Sequence, residues 1–250
     1  MANGSLDQHL YPKKVNAILS WESRFLILKS VAAALNYLHC GWEQCILHRD
    51  IKPSNVMLDS QMNARLGDFG LARLAKHGPE DETAVMSNVT NVAGTPGYIA
   101  PVSNCFQAFT TKTDVYSFGM MALEVACGRP PHVHVEEEES LMKWVWSMHK
   151  KGQLLEVIDD SLQMNSKLMT DEVLQLQIQQ VTRVLQLGIL CTMPDPSVRP
   201  RTERLLQALK GDWSVSLPAS RTGSSPLPFP LTSSTMYNTS SSDSLLVSDD

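Results

Sequence analysis

The stretch His48-Arg49-Asp50-Ile51-Lys52-Pro53-Ser54-Asn55-Val56-Met57-Leu58, followed ten residues later by Asp68-Phe69-Gly70, constrains this chain more than any other. It sets a carboxylate, a lysine two residues on and an amide five residues on along one loop, and then a second carboxylate on a separate turn. That inventory suits phosphoryl transfer, which needs little covalent help but does need a positioned nucleophile, fixed metal ions and neutralised phosphate charge. Short apolar runs, Ile46-Leu47 and Val56-Met57-Leu58, flank the loop and predict small strands that hold it in place.

The rest of the chain reads as helices arranged around that loop. Residues 1 to about 20 form a turn-rich connector, with Asn3-Gly4 and Tyr11-Pro12 as breakers. Ser20 stands before Trp21-Glu22 as an N-cap with an acidic first turn, and Leu28, Val31, Ala32, Leu35 and Leu38 then recur at helical spacing. Ala64-Arg65-Leu66-Gly67 leads into Asp68. From Leu71 to Ala93 the composition turns polar and hydroxyl-rich, which predicts a mobile loop carrying Thr83, Ser87 and Thr90. It closes at Gly94-Thr95-Pro96-Gly97-Tyr98-Ile99-Ala100-Pro101. Asp114 to Gly119, with the apolar run to Cys127, predicts a buried central helix, and Val181 to Met193 another. Glu136 to Glu139 reads as a solvated helix start, Leu141 to Trp146 and Leu154 to Ile158 carry further apolar faces, and Thr202 to Leu209 supplies a last short amphipathic helix. Serine, threonine and proline dominate residues 213–250, which read as a disordered tail.

Composition narrows the function classes. An apolar content of 43% over 250 residues is enough for a real core. A net charge of −5 provides no basic field for nucleic acid, so no nucleic-acid partner is expected. The five cysteines are odd in number, scattered and free of any C-x-x-C pair, a pattern of buried thiols in a reducing compartment rather than of a zinc site or disulfide framework. No stretch reaches the roughly 20 apolar residues of a membrane-spanning helix. The first residues carry neither a basic start nor an apolar run, so a cytoplasmic location is expected for the chain as written.

The ordered series His48-Arg49-Asp50, Lys52, Asn55, Asp68-Phe69-Gly70, Gly94-Thr95-x-Gly97-Tyr98, Ala100-Pro101, Asp114-x-x-Ser117-x-Gly119 and Arg199-Pro200 resembles the large lobe of eukaryotic protein kinases in order and spacing. The resemblance implies a mainly α-helical, kinase-like C-terminal lobe with short β hairpins over residues 1–212. It implies that Asp50 accepts or orients the proton of the substrate hydroxyl, that Lys52 sets a positive charge against the transferring phosphate, and that Asn55 and Asp68 ligate Mg²⁺. Arg49 would contact a phosphate on the activation segment, with Thr83, Ser87 and Thr90 as candidate carriers. Thr95 would steady Asp50 and Lys52, and Asp114 would cap the catalytic-loop backbone as a structural residue. ATP and protein substrates with serine or threonine hydroxyls are the implied partners, because Asp50-Ile51-Lys52-Pro53 is similar to the serine/threonine class. Asn3-Gly4-Ser5-Leu6-Asp7, Leu19-Ser20-Trp21, the run Ala64 to Arg73 and Cys127-Gly128-Arg129-Pro130 resemble plant receptor-like kinases, the lectin-type group above all. In a full receptor kinase this region would sit on the cytoplasmic side of the plasma membrane.

The sequence departs from that family in two places. No G-x-G-x-x-G loop occurs, and no lysine stands in a Val-Ala-Ile-Lys-like strand ahead of His48, so the N-terminal lobe is expected to be absent and this chain alone to have little or no activity. A catalytically dead binding or decoy module, or a truncated gene product, is the alternative reading. The second departure is Val102, where the family's Ala-Pro-Glu string becomes Ala100-Pro101-Val102. In the family that glutamate pairs with the arginine matching Arg199. Orphaning one partner of a buried pair typically costs about 3–5 kcal/mol, a sizeable share of a usual margin of about 5–15 kcal/mol. Val102→Glu is therefore expected to raise the melting temperature, as scanning calorimetry would register.

Overall fold

The computed structural model describes residues 1–11, 19–41, 44–75, 85–86, 93–101, 103, 109–131, 140–162 and 170–217. All of them fall in one compact unit, Met1–Ser220. Thr83, Ser87, Thr90, Val102, the acidic run at 136–139 and the tail from 218 lie outside the described residues.

The first residues are more than a connector. Asn3 donates its N–H to the Leu58 carbonyl (3.2 Å), Leu58 to that of Gly4 (2.8 Å) and Leu6 to that of Val56 (2.9 Å). The segment thus lies antiparallel along the strand that follows the catalytic-type loop, with Ser5 opposite Met57. A short helix, α1 (Asp7–Leu10), ends it. Composition concealed this because Asn-Gly marks a turn without saying what the flanking backbone pairs with.

Helix α2 (Trp21–Cys40) starts where the sequence predicts, with the Ser20 hydroxyl accepting the Ser23 N–H at 3.3 Å. Its face of Phe25, Leu28, Val31, Ala32 and Leu35 is buried. Three antiparallel pairs follow. Strands β1 (Cys45–Leu47) and β4 (Arg73–Ala75) pair, as do β2 (Val56–Leu58) and β3 (Ala64–Leu66), and β5 (Val85–Met86) and β6 (Phe109–Thr110). The protein is therefore mainly helical with small antiparallel sheets.

The centre of the core is α3 (Thr111–Cys127), which is buried at every position from Thr113 onward. It begins where the Thr110 N–H meets the Thr113 hydroxyl (3.1 Å) and ends at Gly128, whose φ of 61° takes the left-handed turn that a glycine C-cap supplies. Helices α4 (Leu141–Lys150), α5 (Asp171–Cys191) and α6 (Thr202–Lys210) complete the order. Helix α5 extends ten residues upstream of the predicted start at Val181, because its first three turns are too polar to show an apolar face.

Two buried arginines fasten these helices. Arg24, fully buried, pairs with Asp159 at 2.7 Å and donates to the carbonyls of Val125 (2.8 Å) and Leu19 (3.1 Å), so α2, the end of α3 and the segment after α4 meet at one guanidinium. Arg199, also buried, donates to the carbonyls of Met193 (2.7 Å), Lys112 (3.0 Å) and Pro194 (3.0 Å), and lies 5.0 Å from the Tyr116 ring centroid. Burial pushes its pKa down to about 10, which leaves it protonated at neutral pH. The sequence led us to expect an uncompensated charge here. The carbonyls and the ring replace much of what a carboxylate would supply, so the gain from Val102→Glu falls short of a full buried pair.

Helices α3 and α5 cross at Gly119 and Gly188. A Cβ on Gly119 would stand 2.5 Å from the Cys191 Cβ and 3.1 Å from the Gly188 carbonyl, neither of which can swing aside. Gly119→Ala gains roughly 1 kcal/mol of helix propensity and incurs an overpacking cost of about 1–3 kcal/mol. The net effect is a loss of stability, read as a lower urea midpoint at unchanged slope.

Candidate functional site

The loop between β1 and β2 is held from behind by one carboxylate. Asp114, wholly buried in the first turn of α3, accepts the backbone N–H of His48 (2.8 Å) and of Arg49 (2.8 Å) and the Nε2 hydrogen of His39 (2.9 Å). Arg49 has a φ of 71°, a conformation that costs a non-glycine residue on the order of 1 kcal/mol, and the Asp114 bonds to its own N–H and to that of His48 hold it there. The His48 ring braces the loop from within. Its Nε2 donates to the Gly67 carbonyl (3.0 Å), and its Nδ1 accepts the Asp50 N–H (3.3 Å). The Phe69 ring stands edge-on against it at 4.9 Å.

Asp50 lies at the front of the loop with each oxygen occupied. Oδ1 accepts the Thr95 hydroxyl (2.7 Å), while Oδ2 meets Lys52 Nζ (2.7 Å) and Asn55 Nδ2 (2.9 Å). Lys52 Nζ also donates to Thr95 Oγ1 at 2.6 Å, which closes a ring of carboxylate, ammonium and hydroxyl. Burial alone would raise the Asp50 carboxyl, but the bonds from Lys52, Thr95 and Asn55 outweigh it and hold the group below the usual carboxylate range. The structure thus brings together four of the residues singled out from sequence, drawn from the loop and from the Gly94–Ala100 turn.

Asn55 spends its amide hydrogens on Asp50, with Nδ2 donating to both the carbonyl (2.8 Å) and Oδ2 (2.9 Å). Its remaining polar side-chain atom is the acceptor Oδ1. The Asn55 carbonyl accepts the Gly67 N–H (2.8 Å), which brings the start of the Asp68 turn to the base of the β2–β3 hairpin. Asp68 is exposed, takes a φ of 56° and bonds the Gly70 N–H at 3.3 Å. One amide oxygen and one exposed carboxylate are the hard donors that Mg²⁺ takes, and that ion completes its shell with water and phosphate oxygens rather than a full protein cage. The pair fits such an ion. Among the described residues no group of three or more His, Cys, Asp and Glu side chains gathers to hold a metal by itself.

Arg49 is half committed. Its guanidinium stacks 4.0 Å from the Phe109 ring centroid and makes a long bond to the Leu71 carbonyl (3.4 Å), while its Nε has no partner. Burial and the neighbouring Arg73 lower its pKa. Thr83, Ser87 and Thr90, named as its phosphate-bearing partners, lie outside the described residues.

The sequence reading missed three residues that shape the site: His39, Tyr98 and Glu124. Glu124 was the easiest to find, as a lone acid within the apolar run Met120 to Cys127. It is buried and accepts hydroxyls from Tyr11 (2.7 Å) and Tyr98.

Comparison with known proteins gives the family. The protein kinase domain family matches residues 1–209. The chain is 42% identical to L-type lectin-domain containing receptor kinase IV.2 of Arabidopsis thaliana over 218 residues, which are 86% of this chain and 30% of that protein. It is 44% identical to receptor kinase IV.3 of the same group and organism over 218 residues, 86% of this chain and 30% of that one. It is also 41% identical to the probable receptor kinase II.1 over 232 residues, 92% and 32% respectively. The chain therefore belongs to the protein kinase family, among its plant receptor-like members. It spans about a third of the length of these relatives. Among the described residues no helix is long and apolar enough to cross a membrane.

The Thr95 hydroxyl is one of the bonds that depress the Asp50 carboxyl, and a depressed acid contributes stability at neutral pH that is lost as pH falls through its folded pKa. Thr95→Val raises the Asp50 midpoint in a carboxyl ¹³C titration and moves the onset of acid unfolding to higher pH.

Proposed function

We propose that residues 1–212 form the large lobe of a serine/threonine protein kinase, followed by a tail over 213–250, and that this lobe, when completed by a small lobe, transfers the ATP γ-phosphate to protein hydroxyls in receptor signalling. The observation that carries the reading is the ring of Asp50, Lys52 and Thr95, closed at 2.6–2.7 Å. A carboxylate held below its usual range is a weak base, so Asp50 orients the substrate hydroxyl and takes its proton late, as the oxygen bonds to the γ-phosphorus and the bridging bond to ADP breaks. Lys52 faces the phosphate in transfer. Asn55 Oδ1 and Asp68 would hold Mg²⁺, which neutralises phosphate charge when bound. Arg49, with its unpaired Nε, would receive a phosphate from the activation segment, Thr83, Ser87 and Thr90 being the candidates. Asp114 and Arg199 act through the backbone they fasten. In a full receptor this lobe would work on the cytoplasmic side of the plasma membrane.

The 250 residues contain no glycine-rich phosphate loop, which supports weak or no transfer by this chain alone. Radiolabelled ATP with Mg²⁺ and a generic protein substrate tests both statements. The chain alone incorporates little label. Joined in frame to the small lobe of a complete relative it incorporates label, and Asp50→Ala lowers the rate by about 10²–10⁴-fold. Asp50-dependent transfer by the 250 residues alone overturns the inactivity reading. A joined protein that never transfers phosphate overturns the kinase reading.

A further inference from the structure

Glu124 lies in the last turn of α3, is 2% exposed and has no cationic partner among the described residues. Each of its oxygens instead accepts a tyrosine hydroxyl from a different part of the chain. Tyr11, at the end of α1, reaches Oε1 across 113 positions, and Tyr98, in the turn that carries Thr95, reaches Oε2. That turn is tied inward as well. Tyr98 donates its N–H to the Thr95 carbonyl (3.1 Å), and its own carbonyl accepts the Ser117 hydroxyl (2.7 Å). Thr95 in turn bonds Asp50 and Lys52. One buried carboxyl therefore connects the N-terminal segment to the brace around Asp50.

We propose that Glu124 is a proton-sensitive latch: ionised, it accepts both tyrosines and clamps the Asp7–Tyr11 segment to the Gly94–Ala100 turn, and protonated, it holds them only through weaker neutral bonds, one of them reversed so that the carboxyl donates to the tyrosine oxygen. The reason is the donor count. A carboxylate offers acceptors on both oxygens, whereas a carboxylic acid carries a hydrogen on one of them. The tyrosine facing that oxygen must turn its own hydrogen away. Bonds to an ionised acceptor are also roughly twice as strong as neutral ones, so the clamp is tighter with the proton off.

Burial, more than any neighbouring charge, sets the latch near neutrality. Burial pushes the Glu124 carboxyl up to about 7, Asp7 adds to the rise, and the two tyrosine hydrogen bonds hold it back. Asp7 faces it from α1 with a buried, unpaired Oδ1. Burial and Glu124 itself drive both tyrosines far above their ordinary range, so they remain donors. Arg24 approaches from α2 but is committed to Asp159, and Asp50 acts on Tyr98 from the loop. An acid raised from 4.5 to about 7 on folding binds more protons folded than unfolded, so this group's contribution to stability falls as pH rises through that window. The clamp therefore tightens at the expense of overall stability. The latch belongs to the fold and does not require the chain to transfer phosphate.

The test is a carboxyl ¹³C titration of the glutamate-labelled chain from about pH 5 to about pH 9, with Glu124 assigned by its loss in Glu124→Gln. A Glu124 midpoint near neutrality is expected, with the amides of Gly97 to Ile99 and of Leu10 and Tyr11 shifting at the same midpoint and ceasing to do so in Glu124→Gln. Tyr11→Phe removes one donor and raises the Glu124 midpoint, which keeps the test open should the glutamine variant fail to fold. A midpoint below about 5, the ordinary glutamate range, overturns the proposal. So do amide shifts that persist in Glu124→Gln, or a midpoint that Tyr11→Phe leaves unmoved.

Discussion

The Asp114 carboxylate is the contact on which the rest of the site depends. It takes two successive backbone N–H groups and a histidine hydrogen at 2.8–2.9 Å inside the core, where an unpaired acceptor would be costly. Because it sits on the most buried helix, the loop inherits that helix's rigidity. The left-handed turn at Arg49, the position of Asp50 and the tautomer of His39 all follow from it. A carboxylate buried behind the loop thus decides where the Asp50 carboxylate points.

Around that anchor the protein repeats one device, a buried polar side chain that gathers polar partners from separated segments. Arg24 holds two carbonyls and Asp159, Arg199 holds three carbonyls, and Glu124 holds two tyrosines. Apolar packing between α3 and α5 brings the helices together, with Gly119 and Gly188 setting how closely they approach. The polar contacts then determine which loops are fixed to the bundle, since hydrogen bonds are directional and hydrophobic burial is not.

Much of this was legible in the sequence, and the reasons differ by element. Ser20 before a periodic apolar face marked the start of α2 to the residue, because an N-cap is local chemistry. Asp50, Lys52, Asn55 and Thr95 stood out through the resemblance to protein kinases, and the structure gathers them about one carboxylate. The pairing of the N-terminal segment was illegible because its partner lies more than fifty positions away, and pairing across such a distance leaves no local pattern. The first turns of α5 were hidden by Gln and Glu on a helix that packs only over its later half. The compensation of Arg199 could not be seen at all, since backbone carbonyls are absent from any reading of side chains.

The segment from Asn3 to Leu6, which pairs along β2, also bears on how the protein is made. Its side-chain and main-chain partners lie up to 59 positions downstream, so on a ribosome the segment emerges well before anything it can pair with. At elongation rates of roughly 5–20 residues per second that interval is about 3–12 s, during which its unpaired backbone is open to any other backbone nearby. The polar, turn-prone Asn3-Gly4-Ser5 composition that disguises the pairing also makes the segment a poor template for such mispairing while it waits.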